Sequence, residues 1–82
     1  MRILSVNVGG SREALAWALE QECDVLRVQE HRMLGTAMKG AMRQAIWKGW
    51  AGVWEEASAR GTQSRRGGIA TLVRAPVPVF SR

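Results

Sequence analysis

"CDVLRVQEHR", residues 23–32, decides how the rest of the chain is read. Val25, Leu26 and Val28 form a short apolar run, which Gln29, Glu30, His31 and Arg32 close with four polar side chains in a row. The pattern predicts a strand over residues 24–29 that ends in a carboxylate. A carboxylate at the mouth of an apolar strand requires a partner. A cation, a helix N-terminus or a metal ion would serve.

Upstream, "ILSVNV" (3–8) alternates apolar and small polar residues and predicts a first strand near 2–8. Gly9-Gly10 stops it, Ser11 is an N-cap, and Glu13 favours the first turn of a helix over residues 11–22. Leu15, Ala18 and Leu19 share one face of that helix. Trp17 falls on the opposite, polar face with Glu13 and Glu20, as if reaching a groove or another surface. Downstream, Met38, Ala41, Met42, Ala45 and Ile46 form the apolar face of a helix over 36–47, opposite Lys39, Arg43 and Gln44. Gly40 weakens it by ~1 kcal/mol relative to Ala. Strands follow near 50–56 and 69–74, separated by the basic loop "ASARGTQSRRGG" (57–68). Trp47, Trp50 and Trp54 read as core or layer-packing residues. Pro76 and Pro78 confine "APVPVF" to an edge or an extended exit. Strand, helix, strand with short connections predicts an α/β chain of about four strands and two helices, a sheet layered on helices. Strand order is not readable.

Eighty-two residues allow one small domain or a piece of a larger one. A chain this size buries roughly 60–65% of its unfolded surface, which makes it marginal without a partner, a metal or further chain. At 46% hydrophobic residues with four Trp it is too apolar for a disordered tail. Charge is lopsided. Residues 1–30 carry three basic and five acidic groups (net −2), and residues 31–82 carry nine and two (net +7). Such a surface attracts polyanions, nucleic acid first among them. Cys23 is the only cysteine, which excludes an internal disulfide and makes Cys23 itself a packing residue. No stretch nears the ~20 apolar residues of a membrane span, and "MRILSVNVGG" is a poor signal peptide. The default expectation is a soluble intracellular chain of nucleus or cytoplasm. The stop at Phe80-Ser81-Arg82, directly after an apolar run, reads as a truncation.

Two polar residues close the first two strands. Asn7 reads either as a turn residue before glycines or as an amide that fixes a phosphate oxygen or a neighbouring carboxylate. "NVGGSREA" matches neither dinucleotide fingerprint nor P-loop, which argues against a nucleotide cofactor. Glu30 reads either as a surface carboxylate paired with Arg32 or Arg27, or as a ligand for a hard cation such as Mg²⁺. Asn7 and Glu30 would face one site if their strands point the same way. His31, the only histidine, reads as a surface or structural residue. Arg60, Arg65 and Arg66 form the densest cationic cluster, either a solvated loop or a contact for a nucleic-acid backbone.

In order, "RILSVNVGG", "DVLRVQEHR" and "RRGGIATLVR" resemble the opening of the endonuclease/exonuclease/phosphatase superfamily, the DNase I-like fold. The likeness runs from Ile3 to about Val79 and looks closest to apurinic endonucleases and the endonuclease domains of non-LTR retrotransposons. It implies that residues 1–82 are the truncated N-terminal portion of a two-sheet α/β sandwich. By that resemblance Asn7 matches the first active-site Asn and Glu30 the carboxylate that binds Mg²⁺ (or Mn²⁺). It further implies a phosphodiesterase with a nucleic-acid substrate, DNA ahead of RNA, and a partner in the missing remainder of the domain. The family's later Tyr, Asp-x-Asn and Asp-His motifs have no counterparts here, and His31 is not its general-base histidine. Arg27 also departs, placing a charge where the family has a small or apolar residue. The expectation is therefore a fragment that is inactive or nearly so alone. The alternative is a non-catalytic basic nucleic-acid-binding remnant that uses the loop arginines with Lys39 and Arg43.

Overall fold

The computed structural model describes residues 1–58 and 66–75. Its elements in order are β1 (Ile3–Asn7), α1 (Arg12–Leu19), β2 (Val25–Gln29), α2 (Gly35–Trp47), β3 (Trp50–Glu55) and β4 (Ile69–Arg74). The four strands form one mixed sheet in the order β1-β2-β4-β3, and the two helices complete an α/β fold. β1 and β2 run parallel, with Ile3 opposite Val25 and Asn7 opposite Gln29. β4 pairs antiparallel with both β2 and β3, and places Ile69 opposite Gln29 on one side and Glu55 on the other.

Ser11 caps α1, its Oγ accepting the Ala14 N–H at 3.0 Å, with Glu13 in the first turn. The helix stops at Leu19, short of the expected residue 22. Its last turn tightens as Glu20 and Gln21 donate to the carbonyls of Trp17 and Ala18. Tertiary partners then take the next carbonyls: Trp50 Nε1 donates to Leu19 O (2.9 Å) and Arg74 to Gln21 O (2.8 Å). α2 has no side-chain cap of its own at Leu34. Instead Glu56 reaches across from the end of β3 and accepts the Gly35 N–H at 2.8 Å, a negative charge at a helix N-terminus.

The core lies between the sheet and the helices. Leu26, Val28, Ala70 and Leu72 from the two central strands meet Leu15, Ala18 and Leu19 of α1, Ala41 and Ala45 of α2, and the fully buried Trp50. Burying each large apolar side chain is worth roughly 1.5–3 kcal/mol, so these few contacts dominate stability. Arg74 covers Trp50 with its guanidinium 4.0 Å from the ring centroid. Cys23 is buried at the rim of this core, as a packing residue should be. Two expectations need correction. Ile46 is 66% and Trp47 85% exposed, because the buried face of α2 is the Ala41–Ala45 side and both residues lie on the opposite one. Trp50 and Trp54 do pack inward.

Among the described residues the second sheet face has no helix on it. Alternation along the paired strands gives that face three cross-strand rows: Ile3, Val25, Val73 and Ala51; Ser5, Arg27, Thr71 and Val53; and Asn7, Gln29, Ile69 and Glu55. Arg27, whose charge was the anomaly of β2, is exposed in the middle row and meets no desolvation problem. Among the described residues no helix is long and apolar enough to cross a membrane.

Candidate functional site

Parallel pairing of adjacent strands brings the carboxyl ends of β1 and β2 to the same edge of the sheet. Asn7 is the last residue of β1, opposite Gln29, and Glu30 is the first residue after β2, so their backbones lie at neighbouring positions on this edge. Asn7 Oδ1 accepts the Gly9 N–H at 3.0 Å, the local turn expected of Asn before glycine, which leaves its NH₂ group without an assigned intramolecular acceptor among the described residues. Beside it, Gln29 Nε2 donates to Ser5 Oγ at 3.2 Å.

The segment after β2 is conformationally unusual. Glu30 (φ 60°) and Arg32 (φ 57°) both occupy the left-handed region, although neither is glycine. Each such residue costs roughly 1–2 kcal/mol. Four backbone hydrogen bonds hold the turn against that cost: Val8 N–H to Gln29 O (2.9 Å), Gly10 N–H to Glu30 O (2.8 Å), His31 N–H to Gly68 O (3.2 Å) and Arg32 N–H to Gly67 O (2.9 Å). Three strand ends are thereby stitched together. Non-glycine residues in this region concentrate where a side chain must be aimed.

Arg32 Nε lies 3.5 Å from Glu30 Oε1, with the two side chains 48% and 36% exposed. A pair so open to solvent contributes about 0–1 kcal/mol, so a cation of higher charge could replace the guanidinium at little expense to the fold. A cleft of about 170 Å³, lined by neither Asn7 nor Glu30, opens between the α1 N-terminus and the 31–33 segment, bordered by Ser11, Arg12, His31 and Arg32.

His31 is buried, 3% exposed. Its Nδ1 accepts the Met33 N–H at 3.0 Å, which fixes the ring proton on Nε2, and Nε2 donates to Glu55 O at 2.9 Å. Desolvation pushes its pKa below the ordinary value, against smaller opposing contributions from backbone hydrogen bonds at Glu55 and Ile69. With both nitrogens committed, His31 cannot act as a general base. It is a structural histidine. Sequence reasoning allowed that role but did not find its partners, and the signal that could have pointed to them is Gly67-Gly68. At Gly68 (φ 91°) a Cβ would overlap the imidazole.

Among the described residues the predicted cations lie on different parts of the fold. Arg66 is exposed and bridges Ser58 through paired backbone hydrogen bonds of 2.7 and 3.0 Å, while Arg60 and Arg65 lie outside the described residues. Arg27 sits on the open sheet face, and Lys39 and Arg43 on the outer face of α2. No aromatic side chain stands on the open sheet face among the described residues. That face is therefore not a base-stacking platform.

Glu30 offers a carboxylate, and Asn7, whose amide oxygen is taken by the Gly9 N–H, offers an NH₂ group. This set fits a hydrated hard cation, which typically keeps several waters and takes one or two carboxylates with substrate phosphate oxygens. It does not form a closed cage. Among the described residues no three His, Cys, Asp or Glu side chains cluster as a metal site. Compared with known proteins, the chain matches no family model, no curated protein and no solved structure.

Proposed function

We propose that this chain carries the metal- and phosphate-binding corner of a Mg²⁺-dependent (or Mn²⁺-dependent) phosphodiesterase of the endonuclease/exonuclease/phosphatase type, with nucleic acid as substrate, DNA ahead of RNA. The observation that carries the reading is the parallel β1–β2 pairing, which puts Asn7 and a conformationally constrained Glu30 at one sheet edge. Glu30 is the candidate ligand, and the Asn7 NH₂ group is a donor for a phosphate oxygen. A bound divalent ion would supply charge stabilisation to the phosphoryl and leaving oxygens. The chain's own share is to hold a carboxylate and an amide donor in fixed relation before substrate arrives, which is the preorganisation that electrostatic catalysis requires.

The single histidine is buried and fully hydrogen-bonded, so it is not free to activate water. Positioned acid–base groups contribute typically ~10²–10⁴-fold, so the chain alone is expected not to cleave. The uncovered sheet face, with Ile3, Val53 and Val73 exposed, is where the remainder of a two-layer domain would pack.

A second reading rests on α2. Lys39 and Arg43 lie one turn apart on its exposed side, followed by exposed Trp47, and the helix contains no acidic residue. That stripe offers two phosphate contacts and one stacking surface to a nucleic acid without catalysis. One experiment separates the two: binding to a short DNA duplex with and without Mg²⁺, alongside nicking of supercoiled plasmid. The first reading predicts no nicking, and Mg²⁺-strengthened binding that Glu30→Ala abolishes. The second predicts salt-sensitive binding that ignores Mg²⁺, survives Glu30→Ala and falls in a Lys39→Ala/Arg43→Ala double variant.

A further inference from the structure

We propose that His31 is a positioning residue for the Glu30 carboxylate, the side chain that locks the turn after β2 into the conformation that sets Glu30 beside Asn7. The inference rests on the reading of Glu30 as a metal ligand. It concerns a residue that touches neither metal nor phosphate.

Glu30 and Arg32, the residues on either side of His31, hold left-handed backbone conformations. Nothing intrinsic to Glu or Arg favours that region, so an external clamp is required. His31 supplies it from one ring. Nδ1 accepts from Met33 N–H, which closes the turn on itself, and Nε2 donates to Glu55 O, which ties the turn to the end of β3. The ring also faces Trp54, with centroids 5.6 Å apart at 45°. Gly68 completes the slot, because only a residue without Cβ leaves room for the imidazole there. The backbone of the same turn donates to Gly67 O and Gly68 O at the start of β4. One side chain thus joins the exit of β2, the end of β3 and the entry of β4.

The residue type follows from those demands. The slot needs a flat side chain that accepts a hydrogen bond on one edge and donates one on the other, while filling buried space. A neutral imidazole does all three. Phe would fill the slot and leave the Met33 N–H and the Glu55 carbonyl without their partners. Asn places an acceptor near the Nδ1 position and can keep the Met33 bond alone. Lost outer partners of a metal ligand typically lower metal affinity about 10- to 100-fold.

The test is a Mn²⁺ titration of the ¹⁵N-labelled chain, following free Mn²⁺ by its electron spin resonance signal and paramagnetic broadening residue by residue. The variants are Glu30→Gln, His31→Ala, His31→Asn and Gly68→Ala; the last pushes the ring out of its slot and leaves the His31 side chain unchanged. The metal-free readout is amide exchange at Gly10 and Arg32, whose N–H groups hold the turn, referenced to the core amides of Leu26 and Leu72. The expected result is binding to the wild type, loss in Glu30→Gln, weakening of about 10- to 100-fold in His31→Ala and Gly68→Ala, and partial recovery in His31→Asn. Exchange at Gly10 and Arg32 should speed up in the two weakened variants while the core amides stay protected. If His31→Ala and Gly68→Ala bind Mn²⁺ like the wild type and Glu30→Gln does not, the positioning role is wrong and the ligand role stands. If the wild type and Glu30→Gln bind alike, or neither binds, the ligand role falls and the positioning proposal falls with it. Unchanged Gly10 and Arg32 exchange in both weakened variants would overturn the clamp whatever the metal does.

Discussion

Lowering the pH from 7.5 to 5 asks His31 to accept a proton where none fits. A second ring proton would have to go on Nδ1, the atom that accepts the Met33 N–H, in a slot with 3% exposure. Burial holds the folded-state pKa below the ordinary value, so between that pKa and ~6.5 the unfolded chain binds more protons than the folded one. The stabilising contribution is therefore fully present above about pH 6.5 and is lost as pH falls toward the folded-state pKa. A single group changes stability by at most ~1.4 kcal/mol per pH unit in that window. For a domain of this size, 1 kcal/mol corresponds to about 4–8 °C in Tm, so a clear drop is expected between pH 6.5 and 5. Other charged groups lie on the neighbouring segments, namely Glu30, Arg32, Glu55, Glu56 and Arg66, and they are the same in both proteins compared. The assay is therefore a difference: Tm against pH for the wild type and for His31→Asn, which keeps one hydrogen bond and cannot titrate. Because His31 is the only histidine, the wild type alone should lose the extra stability. Parallel curves, or a wild type that gains stability on acidification relative to His31→Asn, would refute the buried neutral imidazole.

Three further outcomes follow from the packing and the caps. Ser11→Ala removes the acceptor for Ala14 N–H and should cost ~1 kcal/mol in urea unfolding, with no change in the sheet's circular dichroism. Leu26→Ala, at a fully buried position in a central strand, should cost roughly 2–5 kcal/mol, a large part of the ~4–12 kcal/mol expected of a chain this long, and should leave much of the protein unfolded at 37 °C. Glu30→Ala breaks only a solvent-exposed pair, so its melting temperature should match the wild type within what 1 kcal/mol allows, even as metal binding is lost.

Much of the fold was legible because local signals agreed with one another. Alternation in "ILSVNV" and "DVLRVQ", the Gly9-Gly10 stop and the Ser11 cap located β1, α1 and β2, and the Ala41–Ala45 spacing located α2. Errors arose where distant residues decided the outcome. α1 ends at Leu19, where Trp50 and Arg74, 31 and 53 residues away from their acceptors, take the Leu19 and Gln21 carbonyls. Trp47 was expected to pack because Trp usually does, yet the helix turns it away from the Ala41–Ala45 face. The order β1-β2-β4-β3 depends on non-local pairing that no short window encodes. The places of Asn7 and Glu30 at the ends of the first two strands could be read from the alternation pattern. The left-handed turn at Glu30 and Arg32 could not, since neither residue type signals it, and the partners of His31 come from β3 and β4.

The most direct test of the account is whether one divalent ion is felt by Asn7 and Glu30 together. Mn²⁺ added to the ¹⁵N-labelled chain should broaden the Asn7 side-chain NH₂ and the backbone amides of Gly10 and Glu30 at the lowest concentrations, and none of them in Glu30→Ala. Broadening that begins at other acidic residues such as Glu55 and Glu56, or that persists at Asn7 without the Glu30 carboxylate, would contradict the placement of a metal and phosphate corner at this edge of the sheet.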